Sequence, residues 1–497
     1  LGLAYIASAL RESGTEVAVV DALAENVDQI VDEDGYRYQG LTIAETVALI
    51  DPQTDMIGVT CLFSQDWPSV RRVVQAVRER FPDKCIIAGG EHFTALPDFS
   101  LRDCPELDLL VLGEGEETIV DLIAATNEGR PLHEVDGIGY LEDDQFVRTD
   151  PRKRIRDVDE VPLPAWDLFP MEAYLASRNA HGVYLGRSIA ILATRGCPYK
   201  CTFCSNPQMY GNLWMARDPD LVLDEIESYM HKYGVTNVDF YDLTFVLKRS
   251  WILKFCEAIG ERGLKFTWQL PSGTRSEVVD EEVCAALYRS GCRNISFAPE
   301  SGSKETLLRI RKQIDLDKVN RACRGALREG MNVKCNLIIG FPEETRRDVI
   351  KTLFYGWKLA FLGVQDVVVF LFSPYPGSVL FKQLREDGLI AELDDDYFRT
   401  LVAKMDPFST SEYCYNIKGF ELGVWRLFGM ASFFGLAFIT RPWRIVRFIR
   451  NVWRNEHKTV LEQRIGALVH KPRAKKVAKQ EAMLAAASAG PGEHQTL

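Results

Sequence analysis

Through roughly the first 127 residues, short apolar runs alternate with helix-length segments. The runs are "TEVAVVDA", "DMIGVTCLFS", "DKCIIAGGEH" and "LDLLVLGEGEE", and the chain opens on the helical pattern "LGLAYIASALRESG". Runs of this length, rich in β-branched residues and leucine and bounded by glycine, predict parallel βαβ units in a doubly wound α/β sheet of Rossmann-like type. Because the pattern begins on a helix, the sheet's first strand is expected to be missing from the sequence. In such sheets ligands occupy the crevice beyond the carboxyl ends of the strands. The residues at those ends are Thr60 and Ser64, then Gly89, Gly90, Glu91 and His92, then Gly113, Glu114, Gly115 and Glu116. Small or polar residues at every strand end suit close approach by a large polar ligand, although glycines that merely terminate strands would look the same.

The polar, proline-marked stretch "EDDQFVRTDPRKRIRDVDEVPLPAWDLFP" reads as a linker. The first domain is therefore placed at 1–135 and the linker at 136–187. From 188 to 390 the alternation resumes with six strand-like runs: "SIAILATRG", "NVDFYDLTF", "FTWQLPSG", "NISFAPESG", "VKCNLIIGFP" and "VQDVVVFLFSPYPG". Helical patterns such as Leu221 to Tyr233 and Val278 to Ser290 separate them. Parallel strands with polar and glycine residues after each one predict a partial (β/α)6 barrel of TIM-like type.

A mainly helical region is expected at 391–479. Within it Leu427 to Ile439 carries no charge, a run of 13 residues that falls short of the roughly 20 needed to span a bilayer. It reads as a buried or interfacial helix. On a helical wheel of the following "RPWRIVRFIRNVWRN", Arg444, Arg447, Arg450, Asn451 and Arg454 share about one third of the circumference. Ile445, Val446, Phe448, Ile449, Val452 and Trp453 take the other side. The tail at 480–497 reads as disordered.

Composition is that of an ordinary globular protein, 46% hydrophobic and 26% charged, and the net charge of -11 argues against a nucleic-acid partner. Against that acidic background, residues 441 to 479 hold 12 Lys or Arg and only Glu456 and Glu462. A basic amphipathic helix with tryptophan is what lies on an anionic membrane surface, and the same pattern fits a helix that docks on the barrel and shows its arginines to water. No secretory signal is visible, so the expected location is cytoplasmic, with 441–454 as a peripheral contact at the inner face of the membrane.

Twelve cysteines are too sparse for a disulfide scaffold. Nine stand singly, several in apolar runs, and read as inert buried thiols. The other three, Cys197, Cys201 and Cys204, share the loop "TRGCPYKCTFC" just after the barrel's first run. A structural zinc site takes four ligands, and no second pair exists here. A redox pair has no use for Cys197. An iron–sulfur cube held by three thiolates leaves one iron open, whereas electron-transfer clusters use four cysteines. An open iron implies chemistry at the cluster.

"CPYKCTFC" resembles the cluster motif of the radical S-adenosylmethionine (SAM) superfamily. The resemblance implies a [4Fe-4S] cluster held by Cys197, Cys201 and Cys204, whose free iron binds SAM and whose electron cleaves it to methionine and a 5'-deoxyadenosyl radical. It further implies SAM contacts at Phe203, at Glu300 and Ser301 of "FAPESGS", and at Ile339, Gly340 and Phe341 of "IIGFPEET". "FYDLTF" stands where the superfamily usually has glycine-glycine-glutamate, which leaves Asp242 as the partner for the SAM amino group. "LGLAYIASALRESG", "GGEHFTALP" and "GEGEET" resemble the cobalamin-binding domain that precedes the barrel in one subgroup of the superfamily. They imply that the strand-end residues from Thr60 to Glu116 named above meet cobalamin. The motif D-x-H-x-x-G of a lower cobalt ligand is absent, and His92 is expected in the loop at the ligand's edge. The subgroup includes cobalamin-dependent methylases and the anaerobic magnesium-protoporphyrin monomethyl ester cyclase, whose "RDP…DEIE" is echoed from Arg217 to Glu227. The implied activity is C–H activation with methyl transfer to an unactivated carbon. Oxidative cyclisation and a non-catalytic cluster- or cobalamin-binding sensor or electron relay are the alternatives. The expected partners are a small apolar molecule (lipid, isoprenoid or tetrapyrrole) and a reductant protein such as flavodoxin or ferredoxin.

Overall fold

The computed structural model describes residues 1–33, 35–177, 181–209, 211–404 and 410–470. The first layer begins with helix α1 (Gly2–Glu12) and continues through β1 (Met56–Thr60), α2 (Trp67–Arg80), β2 (Cys85–Gly89), α3 (Glu91–Ala95), β3 (Leu109–Val111) and α4 (Glu116–Glu128). β1, β2 and β3 are parallel, with Val59 opposite Ala88 and Ala88 opposite Leu110. Two expectations change here. "TEVAVVDA" makes no ladder, because no strand lies alongside it to accept one; a β-rich run becomes a strand only where a neighbour supplies the pairing groups. The sheet also runs on into the stretch read as linker: β4 (Ile138–Glu142) and β5 (Gln145–Arg148) add an antiparallel hairpin beyond β3. Asp143 and Asp144 at its tip both have positive φ, the twist-matched geometry of a two-residue turn.

The second layer holds β6 (Ser188–Ile191), α5 (Pro219–Tyr233), β7 (Asn237–Phe240), β8 (Thr267–Thr274), β9 (Cys292–Glu300), α6 (Leu316–Glu329), β10 (Asn332–Ile339), α7 (Arg346–Leu362) and β11 (Asp366–Leu371). These six parallel strands pair in chain order, β6-β7-β8-β9-β10-β11, which is the expected partial barrel. Local chemistry sets its helices: α5 starts on Asp218, whose side chain accepts from the Asp220 amide, with Pro219 in the first turn, and it stops at the left-handed Gly234. On β10, Val333, Cys335, Leu337 and Ile339 are buried, and Cys335 Sγ lies 3.8 Å from Cys323 Sγ on α6. That face therefore meets the helix layer, and Lys334 and Asn336 face the inside of the barrel.

Two long helices, α8 (Gly419–Thr440) and α9 (Trp443–Arg454), precede a last helical segment at 460–470 that ends the described chain. α8 is longer than the uncharged run: at 22 residues it is long and apolar enough, by length and composition, to cross a membrane. Here it lies along α7 and β11, and Gly429 permits the contact, since a Cβ there would sit 2.6 Å from Leu353 Cδ2. α9 reverses the expected docked arrangement. Its Arg444 and Asn451 are buried, while Val446 and Trp453 are 70% and 75% exposed. The tail at 480–497 lies outside the described residues.

Candidate functional site

The three-cysteine loop leaves β6 and returns on itself, because Thr194–Arg195 pairs antiparallel with Met215–Ala216. Gly196 sits at φ +82, where any Cβ would be 2.0 Å from Leu213 O, so the tight start of the loop needs glycine. Its middle is held on both sides: the Thr202 amide donates to Ile310 O (3.0 Å), and Thr202 O accepts from the Leu380 amide (2.9 Å). Thr244 Oγ1 donates to Cys197 Sγ at 3.4 Å, and the Arg275 guanidinium stacks on the Tyr199 ring at 3.6 Å. Burial raises the Cys201 thiol, while Lys312 and Arg275 pull it down. Burial pushes Cys204 up to about 11, and Cys201, Glu91 and Cys197 push it in the same direction. Among the described residues no three His, Cys, Asp or Glu side chains converge as they would on one metal ion. Three separated thiols suit a cube, in which each binds a different iron.

Beside the loop, Glu300 ends β9 at φ +65, a conformation rare for a residue with a side chain and one that clusters where structure is held for a purpose. Its carboxylate accepts from Lys312 Nζ at 2.8 Å, both side chains being buried. Ser301 Oγ lies 2.8 Å from Thr352 Oγ1 and accepts from the Ser303 amide, so it braces the turn. The Phe203 ring centroid is 5.6 Å from that of Phe341, and Lys312 Nζ lies 5.9 Å from it. Ile339 is buried at the end of β10, and Gly340 follows at φ +88. Glu344, in the same "IIGFPEET" segment, organises this turn: its carboxylate accepts from the amides of Gly340 (2.6 Å) and Phe341 (3.4 Å) and from Thr306 Oγ1 (3.3 Å). Burial pushes that carboxyl up to about 8. A carboxyl that holds its proton more tightly folded than unfolded gives stability that is full below its ordinary value of 4.5 and is lost as pH rises through about 8. Glu344→Gln is expected to flatten the fall of thermal midpoint across that window; an unchanged pH slope would contradict the assignment.

Asp242 is buried against the start of the cysteine loop. Its oxygens accept from the Ala193 amide (3.4 Å), the Thr194 amide (2.5 Å) and Thr194 Oγ1 (2.6 Å), and burial pushes it up to about 7. Its contacts make it a brace for the start of the cysteine loop. Arg217 likewise serves structure, with an ion pair to Glu225 and a hydrogen bond to Leu192 O (3.2 Å).

In the first layer, several expected ligand contacts are already committed within the protein. His92 is on helix α3 and fully buried, not at a loop edge: its ring stacks on Trp67 (4.7 Å), with Nδ1 3.1 Å from Ser64 Oγ and Nε2 3.2 Å from Ser100 Oγ. Burial lowers it to about 3. Ser64 is buried with it. Gly115 packs on α1, where a Cβ would meet Ile6 Cδ1 at 2.9 Å. Glu91 accepts from Ser205 Oγ, beside Cys204. Glu114 and Glu116 pair with Arg195 at 3.4 and 2.6 Å, and Glu114 also with Arg154 at 3.2 Å. These acids therefore join the first layer to the cysteine loop. Thr60, Gly89, Gly90 and Gly113 are left at the strand ends. Arg195→Lys keeps the charge but not the two-pronged geometry, and is expected to cost about 1.5 kcal/mol in denaturant unfolding and to speed proteolysis near 150–160; an unchanged digestion pattern would contradict the role as a latch.

The inside of the barrel is polar. Asp239 accepts from Asn237 and Gln269, each at 2.7 Å, and Asn294 donates to Gln269 at 3.2 Å. Asn294 Oδ1 and Asn336 Oδ1 are buried without a hydrogen-bond partner. The polar/apolar alternation of "NVKCNLII" carries this signal in the sequence. Trp268, at the start of β8, packs outside the barrel among Phe240, Phe245 and Phe255, and Trp214 donates to Thr244 O.

The radical SAM superfamily model matches residues 191–355, and the B12 binding domain model matches residues 1–123. An uncharacterized methyltransferase of Pyrococcus horikoshii is 31% identical over 416 residues, covering 83% of this chain and 84% of that protein. The anaerobic magnesium-protoporphyrin IX monomethyl ester cyclase of Rubrivivax gelatinosus is 26% identical over 417 residues, 82% of this chain and 70% of that protein. In fold, the chain is similar to the radical SAM methyltransferase TsrM from Kitasatospora setae, solved with cobalamin and a [4Fe-4S] cluster, with a TM-score of 0.62 and 20% identity over 78% of this chain and 74% of that one.

Proposed function

Since the chain belongs to the radical SAM superfamily, with a B12 binding domain ahead of the radical SAM domain, we propose that it is a cobalamin-dependent methyltransferase acting on an unactivated carbon of a small molecule. The observation that carries this reading is the loop of Cys197, Cys201 and Cys204, set beside the buried Lys312–Glu300 pair and braced against the first layer through Glu91. Cys197, Cys201 and Cys204 would hold the cluster. Phe203, Glu300, Ser301 and the turn from Ile339 to Phe341 would hold SAM, and Thr60, Gly89, Gly90 and Gly113 would lie against cobalamin. When bound, the cluster supplies the electron that cleaves SAM and cobalamin carries the methyl group; the organic steps belong to the cofactors.

The chain's own part is positional. Lys312 pairs with Glu300, Asp242 fixes the start of the loop, and Glu344 fixes the turn at Gly340. A tetrapyrrole, isoprenoid or lipid substrate is proposed with a hydrogen-bonding group, because the buried amide oxygens of Asn294 and Asn336 want a donor inside the barrel. The electron is assigned to a reductant protein such as flavodoxin or ferredoxin, and contact with a membrane to the α9 face. The test is anaerobic reconstitution with hydroxocobalamin, SAM carrying a deuterated methyl group, and a strong reductant such as titanium(III) citrate, because SAM gives up a methyl cation that only fully reduced cobalamin can accept. Deuterated methyl recovered on cobalamin supports the reading. An intact cluster with no label on cobalamin would turn it toward oxidative cyclisation, the activity of the Rubrivivax relative.

A further inference from the structure

α9 presents the wrong face to the protein for an ordinary docked helix. Arg444 donates to Val364 O at 3.0 Å and to Gly363 O, Asn451 donates to Glu462 at 3.1 Å, and Trp443, Val446, Ile449 and Trp453 stand in solvent. The apolar surface continues onto its neighbours: Phe438 of α8 meets Phe448 of α9, and Phe354 of α7 and Phe428 of α8 both pack on Trp357. Phe354, Phe361, Phe420 and Ile439 are exposed as well. Large apolar side chains exposed on three neighbouring helices mark an interaction surface rather than scattered single exposures.

Beside that face runs a groove of about 400 Å³. Arg324 and Arg328 of α6, and Arg441, Arg444 and Arg447, line it together with Trp443, and among the described residues no carboxylate does. Arg441 and Arg444 spend hydrogen bonds on backbone carbonyls at the end of α7, whose partial negative charge offsets part, and only part, of the guanidinium charge. Burial and the guanidinium groups of Arg441 and Arg447 lower Arg444 to about 10. Arg328 pairs with Glu281 at the rim, and Glu462 is 3.9 Å from Arg447, whose Nε is buried without a hydrogen bond. The chain passes α9 again at His470, 2.7 Å from Val452 O, and the sequence then runs through Lys471, Arg473, Lys475, Lys476 and Lys479 before the next acid. Apolar side chains beside an arginine groove are complementary to one surface, that of a bilayer bearing anionic headgroups.

We propose that the face formed by α7, α8 and α9 lies on an anionic phospholipid membrane, with a lipid phosphate in the arginine groove. This inference is independent of the reaction assigned above. α8 begins at the barrel mouth, where Leu422 touches Gly340, so the membrane face and the SAM turn are mechanically joined. The test is flotation of the full-length chain with vesicles of phosphatidylcholine, with and without phosphatidylglycerol. The wild type is expected to float with the anionic vesicles only. The double variant Val446→Glu/Trp453→Glu, at two solvent-facing positions, is expected to lose at least about tenfold in partitioning, and Arg324→Glu to weaken anionic binding without altering the circular dichroism. Glycerol 3-phosphate in solution is expected not to compete. Equal binding to both vesicle types, binding that survives the double variant, displacement by glycerol 3-phosphate, or a dimer dispersed by the double variant in place of vesicle binding would each overturn it.

Discussion

Alanine at any one of Cys197, Cys201 or Cys204 is expected to reduce 5'-deoxyadenosine formation to the level of a protein-free control and to strip the chain of its roughly four irons. Three thiolates are the fewest that can hold a cube with one iron left open, so no neighbour can substitute for a missing ligand. The fold should survive. The loop is fixed by the Thr202 backbone, by Gly196 and by the Thr194–Ala216 pairing, and none of these contacts uses a cysteine side chain. The contrast is Cys61→Ala: that thiol is buried, donates to Phe63 O at 3.4 Å, and is expected to leave iron content unchanged. Iron and product are read on the same samples. A single-cysteine variant that keeps its full iron would contradict the ligand assignment.

Lys312→Met is expected to cost about 3–5 kcal/mol in denaturant unfolding, because it leaves the Glu300 carboxylate buried without its cation. Most of that loss belongs to the stranded charge, so the double variant Lys312→Met/Glu300→Gln is expected to recover more than half of it. The same single variant removes the cation that favours the Cys201 thiolate and should weaken SAM binding as well. Additive effects in the double variant would remove the pair from the account.

The barrel was legible in the sequence because each of its strands is a separate apolar run with a chemical marker at its end. The cysteine loop, Glu300 and Gly340 all fall at such ends. The first layer was less legible. "TEVAVVDA" has strand composition but no partner, and "IGYLEDDQFVR" hid a hairpin inside a polar stretch because its turn uses two aspartates in the left-handed region where glycine is the usual sign. Strand-end position did not show that Glu114 and Glu116 pair with Arg195, or that His92 is buried between Ser64 and Ser100. A polar residue at a strand end can meet a ligand or another layer, and only the arrangement of layers decides which. Lys312 and Arg275 were missed because they reach the cysteine loop from segments far away in sequence, and the orientation of α9 was beyond a helical wheel, which fixes which residues share a face but not what that face meets.

The central claim is an open-iron cluster working with SAM and cobalamin on one chain. Its most direct test is a single anaerobic incubation with SAM, dithionite and cobalamin in which 5'-deoxyadenosine and S-adenosylhomocysteine are quantified together. The account predicts both products, with S-adenosylhomocysteine disappearing when cobalamin is omitted. An intact cluster that yields neither would contradict it.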